Sequence, residues 1–175
     1  MTAETIKEII WNQFGATVDM LINVVSNCPE NYFEQNPRFY YIAFHCTIFL
    51  DYYLTIPPGD FIPLLDFTQE AEKEKPIEAI DELIPNKVYS KQEVVDYLKK
   101  SREKCRQLID SLTEESFNQR FKEGDDLNDM NYPILEILLY NLRHTQHHVA
   151  QLNMLLRQDI DKHMEWSFRV GDIQI

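Results

Sequence analysis

Glycine is nearly missing from this chain, with four in 175 residues. That scarcity leaves no glycine-rich loop to cradle a phosphate, and it disfavours a sheet-rich architecture. Basic residues are also short. Seventeen Lys and Arg face 29 Asp and Glu, for a net charge of −12. Such a balance argues against a nucleic-acid binder held by phosphate contacts and against attachment to an anionic membrane. Cysteine is limited to Cys28, Cys46 and Cys105, an odd number without metal-type spacing. They read as free thiols in a reducing compartment, and a cytoplasmic location is the expectation. The opening M-T-A-E-T-I-K-E begins with charge and runs into an amphipathic pattern, unlike a secretory signal. No apolar run has the length of a transmembrane helix.

What is present is helical periodicity. Apolar residues make up 44% of the chain, enough for a substantial core, and residues 1–175 are expected to form one domain. Ile6, Ile9, Ile10, Phe14, Val18, Leu21 and Val25 recur at steps of three and four, which predicts a first helix from about Thr2 to Asn27. Asn36-Pro37 is a good start for a second helix, which Pro57-Pro58 should stop near Ile56. Residues 57–89 hold five prolines and form a connection long enough to return along a bundle. Its stretch P-I-E-A-I-D-E-L-I-P is expected to form a short helix. Ser90-Lys-Gln-Glu93 is a capping box for a third long helix. Residues 113–132 read as a polar, solvated turn. Asp125, Asp126 and Asp129 within it lack the spacing of an EF-hand loop. Asn131 and Pro133 should open a fourth helix, continuing to about Asp159. Trp166 and Phe168 in the tail are expected to pack on the bundle or against a partner subunit.

The densest chemistry lies in H-T-Q-H-H-V-A-Q, His144 to Gln151, which holds three of the five histidines. His144 and His148 are four apart, so on a helix they share a face and can hold one metal ion. His45 sits upstream in Y-Y-I-A-F-H-C-T-I-F-L, where an imidazole needs a partner because burying an unpaired polar group is costly. The economical reading brings His45 to His144 and His148 as a three-histidine site. His147 is an alternative to His144, but it points about 100° away from His148. Ile137, Leu138, Tyr140, Asn141, Leu152 and Leu155 bracket the His144/His148 face instead. Gln151 shares that face, either orienting a ligand or serving as an ordinary polar position. Tyr41 and Tyr52 lie near the His45 face and are assigned to the core.

Other chemistries fit less well. H-T-Q-H-H lacks the glutamate of H-E-x-x-H, and the paired Glu-x-x-His elements of di-iron bundles are absent. Cys46 adjoins His45, but sequence neighbours on a helix rarely face each other.

With H-x-x-x-H-x-x-Q on the last helix, one histidine midway along the second and four long helices in order, the chain resembles the DinB/YfiT-like metalloenzymes. Trp11-Asn12-Gln13-Phe14, the His45-to-Tyr53 segment and the final helix carry the resemblance best. Val149-Ala150 departs from it, standing where many members have Arg-Gly. The resemblance implies an all-α four-helix bundle with up-down-down-up topology, and a homodimer. It also implies a divalent metal, zinc or nickel, held by His45, His144 and His148. Some members of that family transfer bacillithiol or mycothiol, or isomerise maleylpyruvate with mycothiol. The leading expectation is therefore a metal-dependent enzyme that joins a small-molecule thiol to an electrophilic substrate. The alternatives are a metal-binding or structural protein without turnover, and a metal-free bundle that takes an apolar ligand. Leu135, Ile137, Leu138, Leu139, Leu142, Leu152 and Leu155 cover more than one stripe of the fourth helix, which independently suggests a homodimer.

Overall fold

The computed structural model describes residues 2–175. It is mostly helical, with five α-helices and two short antiparallel ribbons. Helix α1 spans Ala3–Ser26, α2 Glu30–Gln35, α3 Pro37–Tyr52, α4 Lys91–Ser111 and α5 Ile134–Ile160. Three of the long helices start on side-chain caps that accept backbone N–H groups: Thr2 for α1, Asn36 for α3 and Ser90 for α4. At Ser90 the reciprocal Glu93 bond is also made, a box whose loss typically costs about 0.5–2 kcal/mol. Asp161 ends α5 in the left-handed region, at φ 52°. No described helix is long and apolar enough to cross a membrane.

Helices α4 and α5 each pack on both α1 and α3. Polar contacts give the directions. Asn36 meets Asp159 and Asn141 meets Leu50, so α3 and α5 run antiparallel. Tyr40 meets Tyr89, while Asp51 meets Tyr97 and Lys104, so α3 and α4 run parallel. The core between them is apolar and tight, with Phe14, Phe39, Phe44, Leu21, Leu98 and Ile109 fully buried.

Two buried carboxylates fasten the helices. Asp19 on α1 accepts from Arg102 Nε on α4 at 2.5 Å and from the Gly171 N–H at 3.0 Å. Asp51 on α3 accepts from Lys104 and from the Tyr97 hydroxyl.

The segments between helices depart from the sequence expectations. The short helix expected over 76–85 is instead a run of turns leading into β2 (Leu83–Pro85), which pairs with β1 (Phe67–Gln69). Its apolar residues do not share a helical face: Ile77 is exposed, while Ala79 and Leu83 are buried. The polar segment after α4 forms a second ribbon, β3 (Arg120–Lys122) on β4 (Asn131–Pro133). Phe121 at its centre is fully buried against Tyr53 and Ile137. Helix α3 ends at Tyr52 rather than Ile56, because the Leu54 and Thr55 amides bond three residues back and tighten the last turn. Tyr41 and Tyr52 lie at the edge of the core rather than within it.

Trp166 and Phe168 are 60% and 76% exposed, so neither is buried in the core. The tail is held by its other residues. Ser167 and Ile173 are buried, and the Val170 N–H donates to the Asn12 carbonyl at 3.0 Å. Val170 lies directly over Gly15, where an added Cβ would sit 2.6 Å from Val170 Cγ2. The Gly15→Ala variant tests this docking. Alanine gains about 1 kcal/mol of helix propensity, and overpacking against a stiff valine costs about 1–3 kcal/mol. The expected net result is a loss of about 1 kcal/mol by thermal unfolding, with faster proteolysis of residues 167–175. A raised melting temperature with undiminished protection would count against it.

Candidate metal centre

Helices α3 and α5 supply the site from facing positions. His45 lies midway along α3, and His144 and His148 lie one turn apart on α5. One ring nitrogen from each falls within 4.8 Å of the others. His45 Nε2 and His148 Nε2 each stand 3.1 Å from His144 Nε2. Two nitrogens bound to one zinc ion at roughly 2.0–2.1 Å stand about 3.3 Å apart in a tetrahedral shell. The structure brings together the three residues that the sequence expectation joined. His147 is exposed and outside the cluster.

The outer nitrogens decide the proton positions. His45 Nδ1 is 2.6 Å from Asp81 Oδ2, and a carboxylate can only accept, so Nδ1 carries the proton. His148 Nδ1 donates to Gln151 Oε1 at 2.7 Å. A neutral ring with its proton on Nδ1 presents a bare lone pair at Nε2. In that neutral form His45 and His148 both aim lone pairs at His144, whose Nε2 carries one proton at most. His144 Nδ1 is buried and has no hydrogen-bond partner. Three imidazoles converging with too few protons between them form a donor set that a divalent cation satisfies.

Burial favours neutral rings. It is the largest influence on His144, which is pushed down to about 3, and repulsion from His148 and His45 adds to it. Burial likewise pushes His148 down to about 4, with repulsion from His45 outweighing the Gln151 hydrogen bond. Burial would raise the Asp81 carboxyl, but its bonds to His45 and to the Leu83 N–H hold it below the usual carboxylate range.

An aromatic wall surrounds His144. Tyr140 stacks on it at an 8° interplanar angle, while Tyr53 and Phe49 meet it edge-on with centroids 5.8 Å and 5.9 Å away. Cys46 is fully buried, and burial pushes its thiol far up, which removes it as a thiolate nucleophile. Burial also pushes Cys28 and Cys105 up, to about 11 and about 12.

Asp81 is the site residue that sequence reasoning missed. It lies 36 residues from His45 in an acidic connection, and no local spacing separates it from Glu78 and Glu82.

The family model described as the DinB superfamily matches residues 13–152, a span that contains all three histidines and Asp81. No curated protein and no solved structure matches the chain.

The lowered histidines make a pH prediction for metal-stripped protein. Their stabilising contribution is complete above the unfolded value of about 6.5. As pH falls below it, the unfolded chain takes up protons that the folded chain refuses, so stability declines toward pH 4. The wild type should lose more melting temperature between pH 7 and pH 5 than His148→Gln. Equal losses would show that His148 is not held neutral by the fold.

Proposed function

The chain belongs to the DinB superfamily, and from that premise we propose that it is a divalent-metal enzyme transferring a low-molecular-weight thiol to an electrophile. His45, His144 and His148 are its ligands, with zinc or nickel as the metal. The observation that carries this reading is the convergence of three Nε2 atoms, two of them with lone pairs fixed by outer hydrogen bonds. When bound there, a divalent ion with an open position favours thiolate over thiol near neutral pH.

The chain's residues do the rest. Gln151 and Asp81 hold two ligand rings in orientation. Phe49, Tyr53 and Tyr140 line one side of His144 with apolar surface, which strengthens electrostatic interactions at the site. The three cysteines are buried, so the nucleophilic sulfur comes from outside the chain. Their free state accords with a reducing, cytoplasmic setting. The acidic surface repels polyanions, so neither nucleic acid nor an anionic membrane is a partner in this reading. We read α1, α3, α4 and α5 as the up-down-down-up bundle of a single domain.

The test pairs metal content with conjugation. Protein purified without an affinity tag should carry one divalent ion per chain. His45→Ala, His144→Ala and His148→Ala should lose it, and His147→Ala should keep it. Metal-loaded protein should conjugate a small thiol to a halogenated or epoxide electrophile above the uncatalysed rate, and chelation should abolish this. Metal retention by a ligand variant would remove that residue from the site. Stoichiometric metal without thiol binding or conjugation would replace the enzyme with a metal-binding or structural protein.

A homodimer is part of the same reading. Most of the α5 leucines turn inward, but Leu139 stays 58% exposed, as do Met154 at 52% and Trp166 at 60%. Met154 and Trp166 line one groove of about 360 Å³ with Met20, Val149 and Met164. Light scattering at micromolar concentration should give twice the 20.9 kDa chain mass, and a monomer would refute the dimer.

A further inference from the structure

We infer that Asp81 is a positioning residue for the three-histidine site, delivered by the 57–89 connection to hold His45 in the tautomer that leaves Nε2 free for the ion. The inference rests on the metal reading above and adds a residue outside the two ligand-bearing helices.

The geometry is specific. Asp81 divides its carboxylate between two donors. Oδ2 accepts from His45 Nδ1 at 2.6 Å, and Oδ1 accepts from the Leu83 N–H at 3.1 Å. The second bond ties the carboxylate to the start of β2, so the ribbon sets its orientation. The ribbon is itself fixed. Glu70 N–H donates to the Glu82 carbonyl at 2.8 Å, and Asn86 N–H to the Asp66 carbonyl at 3.1 Å. The Tyr89 hydroxyl donates to the same Asp66 carbonyl, and Leu83 and Ala79 are buried. Both members of the His45–Asp81 pair are partly shielded, with side chains 12% and 25% exposed. A charge-assisted bond this short is much stronger than one between neutral groups.

The two oriented ligands are not equivalent. His148 is held by a neutral amide on its own helix, three residues away. His45 is held by a charged carboxylate from a non-helical segment. A carboxylate fixes the tautomer and also raises the basicity of the opposite nitrogen, which strengthens its bond to a metal. The connection thus carries one negative charge to the back of one ligand, and without it His45 can turn or take the other tautomer.

Zinc titration of metal-stripped wild type, Asp81→Asn and Asp81→Ala, with Glu82→Gln as control, tests this. Asparagine keeps an acceptor oxygen and removes the charge, whereas alanine removes both. Asp81→Ala should bind zinc roughly 10–100-fold more weakly, Asp81→Asn should fall between, and Glu82→Gln should match wild type. Nitrogen NMR shifts of His45 in metal-free protein give a second readout. Wild type should show the Nδ1–H tautomer, and Asp81→Ala a mixture. Circular dichroism establishes that each variant is folded, and Asp81→Asn carries the comparison if the alanine variant is not. Wild-type affinity in both variants overturns the inference and leaves the metal reading standing. Weaker zinc binding with an unchanged His45 tautomer overturns it too, since that marks a mere structural tether. Failure of wild type to take up zinc overturns both.

Discussion

The structure turns on three imidazoles held edge to edge in the seam between α3 and α5. A partly buried histidine must place both ring nitrogens, and a hydrogen bond fixes which one carries the proton. Here the Nδ1–H groups of His45 and His148 donate to Asp81 and Gln151, so in the neutral rings two bare Nε2 atoms meet a third ring. Burial opposes relief by protonation, holding His144 and His148 neutral well below pH 6.5. What remains is an electron-rich point that hydrogen bonds alone do not satisfy. Such a point is maintained only if the two helices cannot slide or separate.

The polar anchors supply that constraint. Asn141 donates to the Leu50 carbonyl just past the end of the histidine cluster, and Asn36 reaches Asp159 near the other end. These bonds bracket His45 and set the register of α3 against α5. Asp51 with Lys104 and Tyr97, and Asp19 with Arg102, do the same for α4 against its neighbours. Charge pairs with a buried carboxylate add little net stability over apolar packing, but removing the cation is costly because it strands the carboxylate. They favour one arrangement of the helices over alternatives that bury equal apolar area. The geometry of the three histidines depends on that selectivity more than on the depth of the core.

The sequence revealed those parts of the site that obey a period. His144, His148 and Gln151 share one face of a single helix, and His45 is conspicuous as an imidazole in an apolar run. Caps at Asn36 and Ser90 marked helix starts because each pairs a local side chain with a local amide. Elements that depend on distant partners stayed hidden. The Arg120–Lys122 strand is three residues long, too short for alternation to register, and Phe121 finds its place only against Tyr53 and Ile137. Asp81 is one carboxylate in an acidic segment, distinguished solely by a fold that brings it to His45. The last turn of α3 ended early for a similar reason, since the bonds that tighten it accompany the Asp51 anchor to α4. Local chemistry was legible; chemistry assembled across long loops was not.

The position of Asp81 gives the long connection a physical rationale and bears on which ligand the proposed site would hold. Three neutral imidazoles carry no charge, and Asp81 contributes one negative charge from behind. A divalent ion held there would leave a net single positive charge in a partly shielded place. Burying net charge is expensive, whereas a neutral ensemble is not. A monoanionic ligand such as a thiolate cancels the remainder, while a neutral ligand does not. The carboxylate also separates two requirements that would otherwise conflict. It would strengthen the hold on an ion through His45, and by lowering the local positive charge it would limit how tightly an anion is retained. A site without Asp81 would grip its anion harder and its metal less. Turnover in the proposed enzyme would need the reverse, and the connection would provide it with one residue placed just before β2.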